Sequence, residues 1–152
     1  MRRQEHINVE TIKDIVYRKA NTNDKEYLYV LAKSLATSFD VNEFDFLDVF
    51  KSLLDDENVD LIVAEKEQKL IGYVLVFHHS AFYANGLISW VEELFVLEQY
   101  RRMHIGKHLM EEVEKLSKER VSKLVALATR RADKFYRSIG YSESATYFKK
   151  TF

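Results

Sequence analysis

The stretch that decides the fold runs Leu87-Ile-Ser-Trp-Val-Glu-Glu-Leu-Phe-Val-Leu97, then Glu98-Gln-Tyr-Arg-Arg-Met-His-Ile-Gly-Lys-His-Leu-Met110. Its first part is apolar and β-prone apart from two glutamates, and reads as a strand. The second part leads into a helix predicted from Gly106 to Glu119. There Ile105, Leu109, Val113 and Leu116 form a buried stripe, with Glu111–Lys115 and Glu114–Lys118 as i,i+4 pairs on the solvent side. Leu124 to Ala128 is a further apolar run. A strand, a helix and a second strand in this order predict a mixed sheet with helices on its faces.

The junction between strand and helix is the most informative loop. The first amides of a helix have no intrahelical acceptor, and the helix dipole is positive there. This helix start also carries Arg101, Arg102 and Lys107, with His104 between them, and Tyr100 to Lys107 contains no acidic residue. An anion, above all a phosphate group, is the simplest partner for that arrangement. A solvated basic turn is the alternative reading of the same residues.

Upstream, Ile15 to Arg18 reads as a short strand. Asp24 to Thr37 reads as a helix with Tyr27, Leu28, Leu31 and Leu35 in its stripe and Asn23 or Asp24 as its cap. A second helix is expected over Glu43 to Leu54, with Phe46, Phe50 and Leu53 on one face. Leu61 to Ala64 and Leu70 to Phe77, joined through Glu67-Gln68-Lys69, read as a hairpin. Asn85-Gly86 is the turn into the Leu87 strand. Downstream, Ala132 to Ile139 reads as a short helix ended by Gly140 in a left-handed cap. Tyr141 to Ser144 and Thr146 to Phe152 are expected as final strands.

Composition bounds the rest. A chain of 152 residues with 47% hydrophobic and 31% charged residues is expected to fold as one domain, residues 1–152. Cysteine is absent, which excludes disulfides, Cys-ligated zinc and a cysteine nucleophile, and fits a reducing, cytoplasmic setting. Met1 to Glu10 is polar and does not read as a signal peptide, and no apolar run is long enough to cross a bilayer. A formal net charge of −1 gives no case for nucleic-acid binding. His104 and His108 are spaced i,i+4, but no third ligand stands out, so no metal is expected.

Tyr100-Arg-Arg-Met-His-Ile-Gly-Lys107 resembles the acetyl-CoA signature of the GNAT (general N-acetyltransferase) superfamily. That signature reads Gln or Arg, two residues, Gly, one residue, then Gly or Ala. Arg101 falls on its first position and Gly106 on its last, while Arg102 and His104 stand where the family usually has glycine. Val91-Glu-Glu-Leu-Phe-Val96 is similar to the family's fourth strand. Ala132-Asp-Lys-Phe-Tyr-Arg-Ser-Ile-Gly-Tyr141 is similar to its later Ala-x-x-Phe-Tyr motif, before which Thr129 replaces a common asparagine. The resemblance spans about Ile15 to Phe148.

It implies a GNAT-like α/β fold: a central mixed, mostly antiparallel sheet of six to seven strands flanked by about four helices. It implies acetyl-CoA (coenzyme A) as co-substrate, held by Leu94, Phe95 and Val96 on the strand, by Arg101, Arg102, Met103, His104, Ile105, Gly106 and Lys107 in the loop, and by Thr129 and Tyr136. It implies that the Val96 amide polarises the thioester carbonyl, and that Asp24 to Leu54 form one wall of the acceptor site. Exposed final strands often pair in relatives, so a homodimer is one expectation.

The chemistry needs a neutral amine and a proton for the departing thiolate. The resemblance implies that Tyr136 lies beside the CoA sulfur as the candidate acid, and a phenol with a pKa of about 10 keeps its proton at neutral pH. Phe135 and Tyr136 are neighbours on a helix, so one is expected in the core and the other free. Glu92 and Glu93 are the candidate base and substrate anchor. Strand alternation puts Glu92 with Trp90, Leu94 and Val96, and Glu93 with Val91 and Phe95. A carboxylate in an apolar strand must reach a cleft or find a partner, and Glu92 is preferred over Glu93. The structural alternative is one solvent-facing glutamate and one ion pair.

His78 and His79 read as strand-end residues. Direct transfer to an amine (a small cationic amine, a lysine side chain or a peptide N-terminus) is the leading functional expectation. A non-catalytic acyl-CoA-binding module is the second.

Overall fold

The sheet grows from a hairpin whose turn the chain can make only with two left-handed residues. Glu67 (φ 50°) and Gln68 (φ 65°) join β2 (Val59–Lys66) to β3 (Lys69–Ala81), the paired positive-φ geometry that matches strand twist. A second reversal, with Asn85 left-handed (φ 54°), leads into β4 (Gly86–Val96). With β1 (Ile15–Lys19) and β5 (Val125–Leu127) the order is β1-β2-β3-β4-β5, antiparallel throughout except for the parallel pair β4–β5. The computed structural model describes residues 14–152, and the polar stretch Met1 to Glu10 lies outside them.

Helices cover both faces. On one side α1 (Lys25–Leu35) and α2 (Glu43–Asp55) bring Leu28, Leu31 and Phe50 against Val63, Tyr73, Leu75 and Phe95. On the other, α3 (Ile105–Glu119) brings Ile105, Leu109, Met110 and Val113 against Ile62, Ile71, Val74 and Val91, with α4 (Asp133–Ser138) at the margin. The strands are therefore apolar on both faces. Among the described residues no helix is long and apolar enough to cross a membrane.

The expected mixed, mostly antiparallel sheet with four helices is present, with several differences in detail. Among the described residues the sheet has five strands rather than six to seven. Residues 142–152 form no ladder, and Tyr147, Phe148 and Phe152 are exposed. A strand needs a partner edge; β5 is three residues long, and Gly140 at φ 97° turns the chain after α4.

At α1 the N-cap position is Asp24, one of the two expected residues, but without a side-chain cap bond; Asn21 caps the 3-10 turn Thr22–Asp24 that leads into it. The Asn21 side chain accepts from the Asn23 N–H at 2.9 Å, and Asp24 accepts from the Asn21 N–H at 2.8 Å. The Asp24 carboxylate is gripped by both outer nitrogens of Arg18 at 2.8 Å, which fixes the entry to the helix on β1. Tyr27 is 43% exposed rather than in the stripe. On α3, Glu111 pairs with His108 at 3.1 Å; the expected partner Lys115 forms no ion pair among the described residues.

One irregularity positions the site. β3 and β4 shift register between Leu75 and Val76: Leu75 faces Glu93 and Val76 faces Val91, so Glu92 is an extra residue on β4. Such a bulge breaks strict alternation. Val91, Leu94 and Val96 all lie on the α3 side, while Phe95 lies on the α1–α2 side. The grouping of Val91 with Glu93 and Phe95 expected from alternation is thereby corrected.

Candidate active site

β4 and β5 pair only through Ser89, Trp90 and Val91. Beyond Val91 the strands part. A cleft of about 1000 Å³ opens between the end of β4, the loop into α3 and the β5–α4 connection. The Leu97 N–H bonds the Ile71 carbonyl at 2.9 Å. Antiparallel alternation then turns the backbone groups of Leu94 and Val96 away from β3, toward the cleft. Arg101 donates from Nε to the Val96 carbonyl at 3.0 Å and lays its guanidinium 5.7 Å from the Phe95 ring centre, tying the loop to the strand end.

The loop holds two left-handed non-glycine residues, Arg102 (φ 65°) and His104 (φ 62°), the two that stand where glycine was expected from the resemblance. Histidine is among the residues that tolerate this region. His104 occupies the N-cap of α3 without making a side-chain cap, and the first turn has no acidic residue. The first closing bond of the helix is His108 N–H to His104 carbonyl, 3.0 Å. The amides of Ile105, Gly106 and Lys107 therefore have no intrahelical acceptor. A Cβ on Gly106 would lie 3.3 Å from Phe135 Cζ, so glycine lets α4 approach this turn closely.

Arg101, Arg102, His104, Ile105, Gly106 and Lys107 all line the cleft, and Arg130 and Arg131 join them from the β5–α4 connection. Uncapped amides, a positive helix end and these cations fit the diphosphate of a coenzyme A. Met103 instead packs on the α3-side core. Thr129 lines the cleft, but its Oγ1 accepts from the Ala132 N–H at 3.1 Å and so holds the turn into α4. Sequence reasoning missed Arg130 and Arg131; their signal was a pair of arginines directly before the Ala-x-x-Phe-Tyr segment.

Phe135 and Tyr136 do not divide into one core and one free residue. Both are half-buried on the α3-side core, edge to face at 4.9 Å, and both line the cleft. The Tyr136 hydroxyl has no hydrogen-bond partner among the described residues. Burial pushes its pKa up to about 12, so it stays protonated at neutral pH.

The two glutamates differ. Glu92, in the bulge, is exposed and accepts from Trp90 Nε1 at 2.9 Å. Glu93 is half-buried and accepts from the Tyr73 hydroxyl at 2.9 Å. Burial raises the Glu93 pKa above the ordinary glutamate value; the Tyr73 bond opposes the shift and the neighbouring Glu92 charge adds to it. A second cavity, about 380 Å³, lies between α1, α2 and the sheet. Glu93 is the one residue in the walls of both cavities among the described residues. Tyr73 was missed because its meeting with Glu93 depends on the β3–β4 register.

His78 is not at a strand end open to substrate. It is buried, with Nδ1 2.7 Å from Ser89 Oγ and Nε2 2.8 Å from Asp60 Oδ2. Asp60 is buried too and also meets Arg120 at 3.1 Å and Lys19 at 3.4 Å. No route leads a substrate to this Asp-His-Ser set, and it ties β2, β3, β4 and the end of α3 together. His108 is held by Glu111, with the Tyr17 ring 5.5 Å away.

A family model described as an acetyltransferase (GNAT) domain matches residues 57–143, more than half of the chain. The chain belongs to the GNAT acetyltransferase family. This acetyltransferase is 29% identical over 140 residues to the aminoalkylphosphonate N-acetyltransferase of Salmonella typhimurium, covering 88% of each chain. Its fold matches glucosamine-6-phosphate N-acetyltransferase from Arabidopsis thaliana with a TM-score of 0.81 at 22% identity, over 91% of this chain and 98% of that one. It also matches the aminoglycoside N-acetyltransferase AAC(6')-Iy, solved in complex with CoA, with a TM-score of 0.79 at 17% identity, over 90% and 94%. The GNAT acetyltransferase works on acyl-CoA, with acetyl-CoA as co-substrate.

Proposed function

We propose that this acetyltransferase moves the acetyl group to a primary amine by direct transfer in a ternary complex. The carrying observation is that Glu93 stands in the walls of both cavities, so a group in one meets a group in the other at that carboxylate. The absence of cysteine removes an acyl-cysteine route.

Bound acetyl-CoA supplies an acetyl thioester whose sulfur departs as the amine nitrogen bonds the acetyl carbon. The amides of residues 105–107, with Arg102, Lys107, Arg130 and Arg131, hold the diphosphate end. The Val96 N–H, turned into the cleft, receives the carbonyl oxygen. Glu93 takes the proton that the ammonium must lose before it attacks. Its raised pKa suits a base working near neutral pH. Tyr136 holds the proton for the departing sulfur. Glu92, exposed and held by Trp90, adds negative charge near the amine rather than serving as base.

Replacing Tyr136 by Phe tests the assignment. Turnover falls about 100-fold, the lower range for general acid–base catalysis, while acetyl-CoA binding measured by calorimetry is unchanged. Undiminished turnover would remove Tyr136 from the proton path.

A further inference from the structure

The second cavity has a chemical character that does not match an anionic acceptor. Its lining is mostly apolar and includes four aromatic rings, Phe39, Phe46, Phe50 and Tyr73, with Phe46 and Phe50 stacked at 5.7 Å and 10°. Its ionisable groups are Asp40, Asp45 and Glu93, and none of its wall residues is Lys, Arg or His. The Lys149 ammonium bonds Ser38 Oγ at 3.0 Å, and neither residue belongs to the walls.

Two of the named relatives are named for an aminoalkylphosphonate and for glucosamine 6-phosphate, both with an anionic body. An anionic group in this cavity would face carboxylates with no cation to meet it, and like charges held close in a poorly solvated site repel strongly. An uncharged aromatic body would instead bury apolar surface against four rings. A cavity of about 380 Å³ is the size of a small ligand's binding site.

We propose that the acceptor is a primary amine on an uncharged aryl-alkyl body, which fills the cavity between α1, α2 and the sheet while its ammonium meets Glu93. This rests on the amine-transfer reading above. Asp40 and Asp45, on the exposed side, then act as specificity determinants that turn away phosphonate and phosphate acceptors.

Three amines sharing one aminoethyl unit test it by CoA release: phenethylamine, ethylamine and aminoethylphosphonate. The expected order of kcat/KM is phenethylamine first, about 100-fold above ethylamine, the discrimination an apolar pocket reaches for a hydrocarbon body. Aminoethylphosphonate comes last. In Asp40→Lys the ratio of aminoethylphosphonate to phenethylamine kcat/KM rises about ten-fold. Equal rates for phenethylamine and ethylamine, or aminoethylphosphonate first, would overturn the inference and leave the amine-transfer reading standing. If acetyl-CoA binds by calorimetry and none of the three amines is acetylated, this inference falls; the amine-transfer reading falls with it only if a lysine peptide, a peptide N-terminus and an aminoglycoside also fail to release CoA.

Discussion

At the scale of single residues, the account turns on Glu93. Burial lifts its pKa above the ordinary glutamate value, so it loses its proton later than an exposed glutamate does. A base works only when deprotonated. The kcat/KM of the enzyme therefore falls as pH drops, with its acidic limb above the ordinary glutamate range. In Glu93→Gln the rate drops about 100-fold, and that limb disappears from the profile. In Glu92→Gln the limb stays and moves down, because removing the neighbouring charge relieves part of the shift. A limb unchanged in Glu93→Gln would assign it to another group. The sequence showed two adjacent carboxylates in an apolar strand, and strict alternation with a preference for Glu92. It could not show the bulge at Glu92 or the Tyr73 hydroxyl, both of which depend on how β3 meets β4.

At the scale of elements, the loop into α3 was the most legible part, because its chemistry is local. Uncapped amides and positive charge follow from residue order, and the left-handed φ at His104 falls where the family usually has glycine. The hidden element-level feature is the set Asp60-His78-Ser89, whose members come from three strands. Burial lowers the His78 pKa, with the Arg120 cation adding to it and Asp60 opposing. Burial alone would raise Asp60, but bonds from His78 and Arg120 outweigh it and lower its pKa.

Both groups bind protons less readily folded than unfolded, so both contribute stability that is lost as pH falls. For His78 the loss begins below its unfolded pKa of about 6.5, and for Asp60 below about 3.9. His78→Gln is expected to cost about 1–3 kcal/mol at pH 8 by disturbing a buried network. Its deficit against the parent narrows between pH 7 and pH 5, since the parent alone carries the His78 penalty. Urea unfolding at the two pH values reads this directly. A constant deficit would mean that His78 does not titrate in that range.

At the scale of the whole molecule, function follows from a sheet that is closed at one end and split at the other. Apolar cores on both faces hold β4 in the middle of the structure. Its pairing with β5 stops at Val91, so the cleft on the α3 side and the cavity on the α1–α2 side meet near Glu93. The overall order of strands and helices was readable because each long element carries its own periodicity. The last residues misled for a related reason: a segment with β-prone Thr, Tyr and Phe reads as a strand whether or not an edge exists for it, and here residues 142–152 find none among the described residues.

The most direct test of the central claim is a crystal structure of the enzyme with coenzyme A. The account predicts diphosphate oxygens within hydrogen-bond distance of the amides of Ile105, Gly106 and Lys107, and the sulfur between the Tyr136 hydroxyl and Glu93. A diphosphate bound elsewhere, with the turn shut by the His104 imidazole, would contradict it.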